Sequence, residues 1–255
     1  IPCYNPSAGW SERLVNSFRL ICNEISAAEL ILVNDGSVNP EKEETRFVTE
    51  NLPGMVYISN QINQGKGFSL REGVKTAKGS FIVYTDVDFP YTQESFMKVY
   101  SVLKQNKADV AVGIRGDEYY RHLPKARVRI SKLLRWFIKK FLRIPTDDTQ
   151  CGLKGMNRKG REVFLQTTIN RYLFDLEFIF LAARKGLNIK TVDVELRKDV
   201  HLSKMNWEIL CLLAGGGLVG GMANALAGGA TLITFPVMLA AGLPPIIARS
   251  GEHTS

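Results

Sequence analysis

Two hydrophobic periods organise the chain up to Gly113. Trp10, Leu14, Val15, Phe18, Ile21, Cys22 and Ile25 recur at helical spacing and predict an amphipathic helix over Ser11–Ile25. Short apolar runs rich in β-branched residues read as strands at Glu29–Val33, Met55–Ser59 and Ala108–Gly113. Another such run, Phe81-Ile82-Val83-Tyr84-Thr85, passes directly into Asp86-Val87-Asp88. Between the strands, a polar helix is predicted at Glu41–Glu50. A second, entered through a glycine-rich turn, is predicted at Gly65–Ala77, and a third at Gln93–Gln105. Strands alternating with helices predict an α/β fold of three layers around a mainly parallel sheet. No internal repeat is visible. Ile1-Pro2-Cys3 reads as the end of a first strand, so a short apolar run is expected upstream and the sequence is expected to be a fragment.

Two later segments break this pattern. Ile130, Leu133, Leu134, Phe137, Ile138, Phe141 and Leu142 form one apolar stripe over residues 129–143. Lys132, Arg135, Lys139, Lys140 and Arg143 share the opposite face. A basic amphipathic helix of this kind can lie in a membrane interface, or pack on a sheet as an ordinary surface helix. From Ile209 to Ala248 no residue is charged, a run well beyond the roughly 20 residues that one spanning helix needs. Its glycines and alanines suit close helix packing, with expected spans near Ile209–Leu226 and Thr231–Leu243. A buried soluble hairpin is the alternative.

The chain has 255 residues and a formal charge of +8, which favours anionic partners such as nucleotide diphosphates or phospholipid headgroups. Nucleic acid is disfavoured, because no basic motif interleaved with aromatics appears. Cys3, Cys22, Cys151 and Cys211 lie far apart without a C-x-x-C pair, which suggests neither a zinc site nor a disulfide framework and favours a reducing compartment. His122, His201 and His253 are scattered and read as surface or loop residues.

Asp86 and Asp88 carry the candidate chemistry. In an open α/β sheet, ligands bind outside the carboxyl ends of the strands. Two carboxylates there are hard oxygen ligands suited to Mg²⁺ or Mn²⁺, and a metal so held can take up charge on a leaving diphosphate. A strand end followed by an acidic turn is the plainer reading. Other motifs stand in order around this one: Ile1-Pro2-Cys3-Tyr4-Asn5-Pro6, Asn34-Asp35-Gly36-Ser37, Asn63-Gln64-Gly65-Lys66-Gly67 and Gly113-Ile114-Arg115. Asp148-Thr149-Gln150-Cys151-Gly152-Leu153-Lys154, Phe174-Asp175-Leu176-Glu177 and His201-Leu202-Ser203-Lys204 follow. Together these segments resemble family 2 glycosyltransferases with the GT-A fold, over about residues 1–206. The last is similar to the Ser-Lys that closes the domain in polyprenyl-phosphate sugar transferases.

The resemblance implies a UDP- or GDP-sugar donor. Pro2 and Tyr4 would line the base pocket, and Asp35 would bond the base with Gly36 allowing a close turn. Lys66, at a helix N-terminus with exposed amides, would meet a phosphate. Asp86 would contact the ribose or the metal and Asp88 would ligate the metal; Phe89-Pro90-Tyr91-Thr92 stands where related enzymes often carry a further polar ligand. Arg115, Arg127 and Arg129 are candidates for the diphosphate and the acceptor phosphate, though a solvated helix face suits the last two equally. Lys204 would hold the acceptor phosphate near the membrane. A hydroxyl acceptor needs a carboxylate base, for which Asp148 and then Asp175 are the candidates, while Glu177 reads as structural. A polyprenyl phosphate is already anionic and attacks without one. The expected activity is therefore metal-dependent, inverting hexose transfer to a polyprenyl phosphate. Transfer to a polysaccharide or glycolipid hydroxyl is the alternative. A dehydrogenase is disfavoured, because no G-x-G-x-x-G follows the first strand.

Residues 207–255 do not continue this likeness. Gly220–Pro236 and Gly242-Leu243-Pro244-Pro245 resemble the first repeat of TauE/SafE-type membrane permeases, with Met205 as a candidate start. A nonfunctional fusion with a permease-like tail is thus a further alternative. Arg197, Lys198 and Lys204 flank the first expected span, so the positive-inside rule places the catalytic domain on the cytoplasmic face of the cell membrane.

Overall fold

The computed structural model describes residues 1–37, 42–116, 146, 148, 149, 151–171 and 173–197. Arg127, Arg129, Lys204, the basic stripe at 129–143 and the uncharged run from Ile209 lie outside the described residues. Among the described residues no helix is long and apolar enough to cross a membrane.

The elements run β1 (Pro2–Cys3), α1 (Trp10–Glu24), β2 (Ile31–Asn34), α2 (Lys42–Asn51), β3 (Val56–Ser59), α3 (Lys66–Thr76), β4 (Ile82–Tyr84), α4 (Gln93–Lys104) and β5 (Val110–Arg115). They continue with β6 (Lys154–Met156), α5 (Arg158–Phe164), α6 (Phe174–Arg184) and β7 (Ile189–Val194). Every helix expected before Gly113 is present, within a residue or so of the expected ends. Trp10, Leu14, Val15 and Ile21 are the buried face of α1, while Cys22 points to solvent.

One sheet has the order β1-β2-β3 and is wholly parallel, with Pro2 opposite Val33 and Cys3 opposite Asn34. The other has the order β4-β6-β5-β7 and is mixed. Here β6 runs antiparallel to both β4 and β5, and β7 parallel to β5. The expectation of a mainly parallel arrangement holds among the described strands, with β6 the antiparallel exception. The cause lies in connectivity that a periodicity cannot show: β6 enters the gap between two strands already laid down.

The strand expected to carry both acids also stops sooner, at Tyr84. A turn follows in which the Phe89 N–H donates to the Asp86 carbonyl at 3.0 Å and Phe89 takes φ 45°. Asp86 and Asp88 therefore project from a turn beyond the sheet rather than alternating across it.

Among the described residues four apolar clusters hold the layers together, and two of them are the largest. Trp10, Leu14, Leu32, Val48 and Phe89 join α1 and α2 to the first sheet. Leu70, Tyr84, Val112, Met156, Phe164, Phe178 and Ile179 join α3, α5 and α6 to the second. Phe164 and Phe178 are fully buried edge to face, with ring centroids 4.9 Å apart; such pairs add about 0.5–1.5 kcal/mol beyond area burial. An apolar cavity of about 550 Å³ is lined by Ile1, Ile31, Leu70, Val74, Ile82 and Phe96, among others. None of Asp35, Lys66, Asp86 and Asp88 lines it, so it is separate from the candidate chemistry.

Candidate active site

The turn after β4 brings Asp86 against Lys66, the first residue of α3, whose ammonium donates to Asp86 Oδ1. Both side chains remain part-exposed, at 37% and 39%. Burial alone would lower the Lys66 pKa, but the carboxylates of Asp86, Asp175 and Asp88 outweigh it and the net shift is upward. Lys66 is therefore a fixed cation. The other oxygen of Asp86 faces backbone: a Cβ added at Gly152 would stand 2.5 Å from Asp86 Oδ2. Burial, and then the charge of Asp86, raise the pKa of Asp88. A cation beside Asp88 would relieve the cost of its negative charge. Among the described residues no group of three or more His, Cys, Asp or Glu gathers as a metal site.

The turn after β2 is built around Asp35, which is 2% exposed. Its Oδ1 accepts from the Gln64 N–H at 3.0 Å and from Asn60 Nδ2 at 3.1 Å, and its Oδ2 from the Gly65 N–H at 2.8 Å. Asp35 thus organises the loop that presents Lys66. Gly36, at φ 71°, lies so close to this loop that a Cβ would come within 2.5 Å of the Ile62 carbonyl carbon. Tyr4 and Tyr57, 48% and 38% exposed, stand near the same turn, and Asn34 Nδ2 donates to the Tyr57 hydroxyl at 3.1 Å. Pro2 lies in β1 beside this turn.

The exposed amides expected at the start of α3 are a correction. The Gly67 N–H donates to the Asn170 carbonyl at 2.7 Å, and the Gln64 and Gly65 amides are held by Asp35. The loop that caps α3 is itself fixed. Arg71 donates to Thr167 Oγ1 at 3.3 Å, to the Ile169 carbonyl at 3.0 Å and to Asn170 Oδ1. Glu177 accepts from the Thr168 and Ile169 amides at 3.0 and 2.8 Å, in keeping with its structural reading. The cation at this point is the Lys66 side chain.

The two carboxylates considered as bases are both engaged. Arg115 grips Asp148 with Nε at 2.9 Å and Nη2 at 2.7 Å, and its backbone N–H adds a third bond at 3.0 Å. Asp175, 5% exposed, accepts from the Tyr84 hydroxyl at 2.7 Å and pairs with Lys154 Nζ at 2.9 Å. Lys154 is completely buried and donates also to the Cys151 carbonyl. Tyr91, in the segment that follows Asp88, accepts from the Gly152 N–H at 2.9 Å. Burial drives its own pKa upward, so it stays a neutral phenol. The motif Asp148–Lys154 was visible in the sequence, but the roles of Lys154 and Tyr91 depend on burial, for which no local signal exists.

The model of the family described as glycosyl transferase family 2 matches residues 1–164. The chain belongs to glycosyl transferase family 2. The dolichyl-phosphate beta-glucosyltransferase ALG5A of Trichomonas vaginalis is 25% identical over 194 residues, covering 69% of this chain and 56% of its own length. The dolichyl-phosphate beta-glucosyltransferase of Dictyostelium discoideum is 24% identical over 210 residues, covering 76% of this chain and 64% of its own. The chain thus spans less than two thirds of these two relatives. Among solved structures, the mannosyltransferase PcManGT of Pyrobaculum calidifontis, in complex with GDP-Man and Mn²⁺, matches with a TM-score of 0.56 at 14% identity, covering 100% of this chain and 74% of its own. Glucosyl-3-phosphoglycerate synthase of Mycobacterium tuberculosis, in complex with UDP, matches with a TM-score of 0.54 at 17% identity, covering 95% and 79%. These likenesses establish the fold, a GT-A-like α/β architecture.

Proposed function

We propose that this family 2 chain transfers a hexose from a UDP- or GDP-sugar to a polyprenyl phosphate at the cytoplasmic face of a membrane. The carrying observation is the engagement of its carboxylates. Asp148 is held by Arg115, Asp175 by Lys154 and Tyr84, and Asp86 by Lys66. Among the described residues, neither carboxylate considered as a base is left to take a proton from an acceptor hydroxyl. A phosphate acceptor needs no such base. One of its oxyanions attacks the anomeric carbon, the bond to the donor diphosphate breaks, and the electron pair leaves with the nucleoside diphosphate. Charge balances without proton transfer, and a single displacement inverts the anomeric centre.

The residues present fit a divalent cation. Asp86 and Asp88 supply hard oxygen donors whose mutual repulsion a cation offsets, and they would hold Mg²⁺ or Mn²⁺. Such an ion supplies Lewis-acid stabilisation of the departing diphosphate. Lys66 adds a fixed positive charge beside it. Pro2, Tyr4, Asp35 and Gly36 would form the base side of the donor site, and Arg115 would sit toward its phosphates while anchoring Asp148. The relatives named as dolichyl-phosphate glucosyltransferases support the acceptor class. The basic stripe at 129–143, with Arg127, Arg129 and Lys204, supports an anionic acceptor at a membrane surface, and the uncharged run from Ile209 supports anchoring there.

The test incubates the intact chain with radiolabelled UDP-glucose or GDP-mannose and offers polyprenyl phosphate and the matching polyprenol in parallel. Label entering the phosphate alone, and lost in EDTA, is the expected result. Equal transfer to the polyprenol would overturn the acceptor assignment, and full activity in EDTA would overturn the metal.

A further inference from the structure

We propose that Lys154 is a positioning residue for Asp86, fixing the carboxylate that would bind the cation; this rests on the reading of Asp86 as a metal ligand. A fully buried lysine is uncommon, because removing an ammonium from water is costly unless it is paired. Lys154 is one of the largest fully buried side chains among the described residues, alongside Phe164 and Phe178. Its ammonium meets three groups at once. It donates to the Cys151 carbonyl, pairs with Asp175 Oδ1 on α6 at 2.9 Å, and lies 5.7 Å from the centre of the Tyr84 ring on β4.

The Cys151 carbonyl and the Gly152 N–H belong to one planar peptide unit. Lys154 holds its oxygen, and the Tyr91 hydroxyl holds its N–H at 2.9 Å. A peptide bonded at both ends cannot rotate without losing one of them. The Gly152 Cα that follows is the backbone packed against Asp86 Oδ2, where even a methyl group would stand 2.5 Å away. Lys66 holds the opposite oxygen, Oδ1. Asp86 therefore has one restraint on each side, and Lys154 secures the side made of backbone.

The test uses the intact chain and measures Mn²⁺ affinity in the presence of UDP by calorimetry, alongside the melting temperature. Lys154→Met should weaken Mn²⁺ by about 10- to 100-fold, the range for residues that orient metal ligands, and should also lower the melting temperature. Lys154→Met/Asp175→Asn removes both charges and keeps the Tyr84 bond. It should recover stability while Mn²⁺ binding stays weak. Tyr91→Phe frees the other end of the same peptide, and should weaken Mn²⁺ in the same direction. Wild-type Mn²⁺ affinity in the double variant and in Tyr91→Phe would overturn the proposal and leave the metal reading standing. A wild-type protein that binds no Mn²⁺ with UDP would overturn both.

Discussion

Asp35→Asn distinguishes a residue that bonds a nucleobase from one that builds the loop beneath it. The carboxylate receives the Gln64 amide and Asn60 Nδ2 on one oxygen, and the Gly65 amide on the other. An asparagine has a single side-chain oxygen. Placed at Oδ1, it keeps two donors but turns its NH₂ toward the Gly65 N–H, which is buried. Placed at Oδ2, it loses the other two. The less costly choice removes one bond to a charged acceptor and leaves one buried amide without a partner, a loss of about 2–3 kcal/mol. For a domain of this size that lowers Tm by roughly 4–12 °C, at about 2–4 °C per kcal/mol. Thermal and urea unfolding of the intact chain, with and without UDP or GDP, measures it. The loss should be present without nucleotide, and Asp35→Ala, which strips all three bonds, should lose more. A nucleotide-free Tm within about 1 °C of wild type, combined with lost nucleotide binding, would refute the loop-building role and return Asp35 to the base alone.

Gly152→Ala should reduce transfer at least tenfold with little loss of Tm, because the new methyl displaces Asp86 Oδ2 from 2.5 Å; unchanged Mn²⁺ affinity and turnover would count against that contact. Arg115→Met leaves Asp148, 4% exposed at its side chain, without its guanidinium and should cost about 3–5 kcal/mol in urea unfolding. Arg115→Met/Asp148→Leu should regain part of that loss, and no recovery would show that shape rather than charge matters there. Burial alone would raise the Asp109 pKa, but the Asn188 and Asn157 amides and the Lys159 ammonium together hold it below the usual carboxylate range. A pKa lowered by folding contributes stability that is full above the unfolded value and is lost as pH falls through the folded one. Asp109→Asn should therefore cost about 1–2 kcal/mol at pH 7, with the gap closing below about pH 4; a gap that stays constant into acid would refute the assignment.

The order of helices and strands up to β5 was determined by the sequence itself. Each element there is long enough, or apolar enough, for its period to show: α1 buries Trp10, Leu14, Val15 and Ile21 at helical spacing, and β2 is a fully buried run. The acids after β4 were equally legible, because an apolar run ending in Asp-x-Asp is a local feature. Tertiary structure alone decided how those acids are held. β6 is three residues, Lys-Gly-Met, with no period to read, and its lysine looks like a surface residue until it is found completely buried. Asp148 and Asp175 read as candidate bases because a sequence lists ionisable groups without their partners. Their partners, Arg115 at a separation of 33 residues and Tyr84 at 91, come from other strands. Of the amides expected to be free at the start of α3, those of Gln64 and Gly65 were taken by Asp35, and that of Gly67 by the Asn170 carbonyl about a hundred residues further on. Local pattern specifies which backbone an element adopts, because that energy is set by neighbours along the chain. Whether a charge or an amide is free depends on what packs against it from afar, and only the folded chain contains that contact.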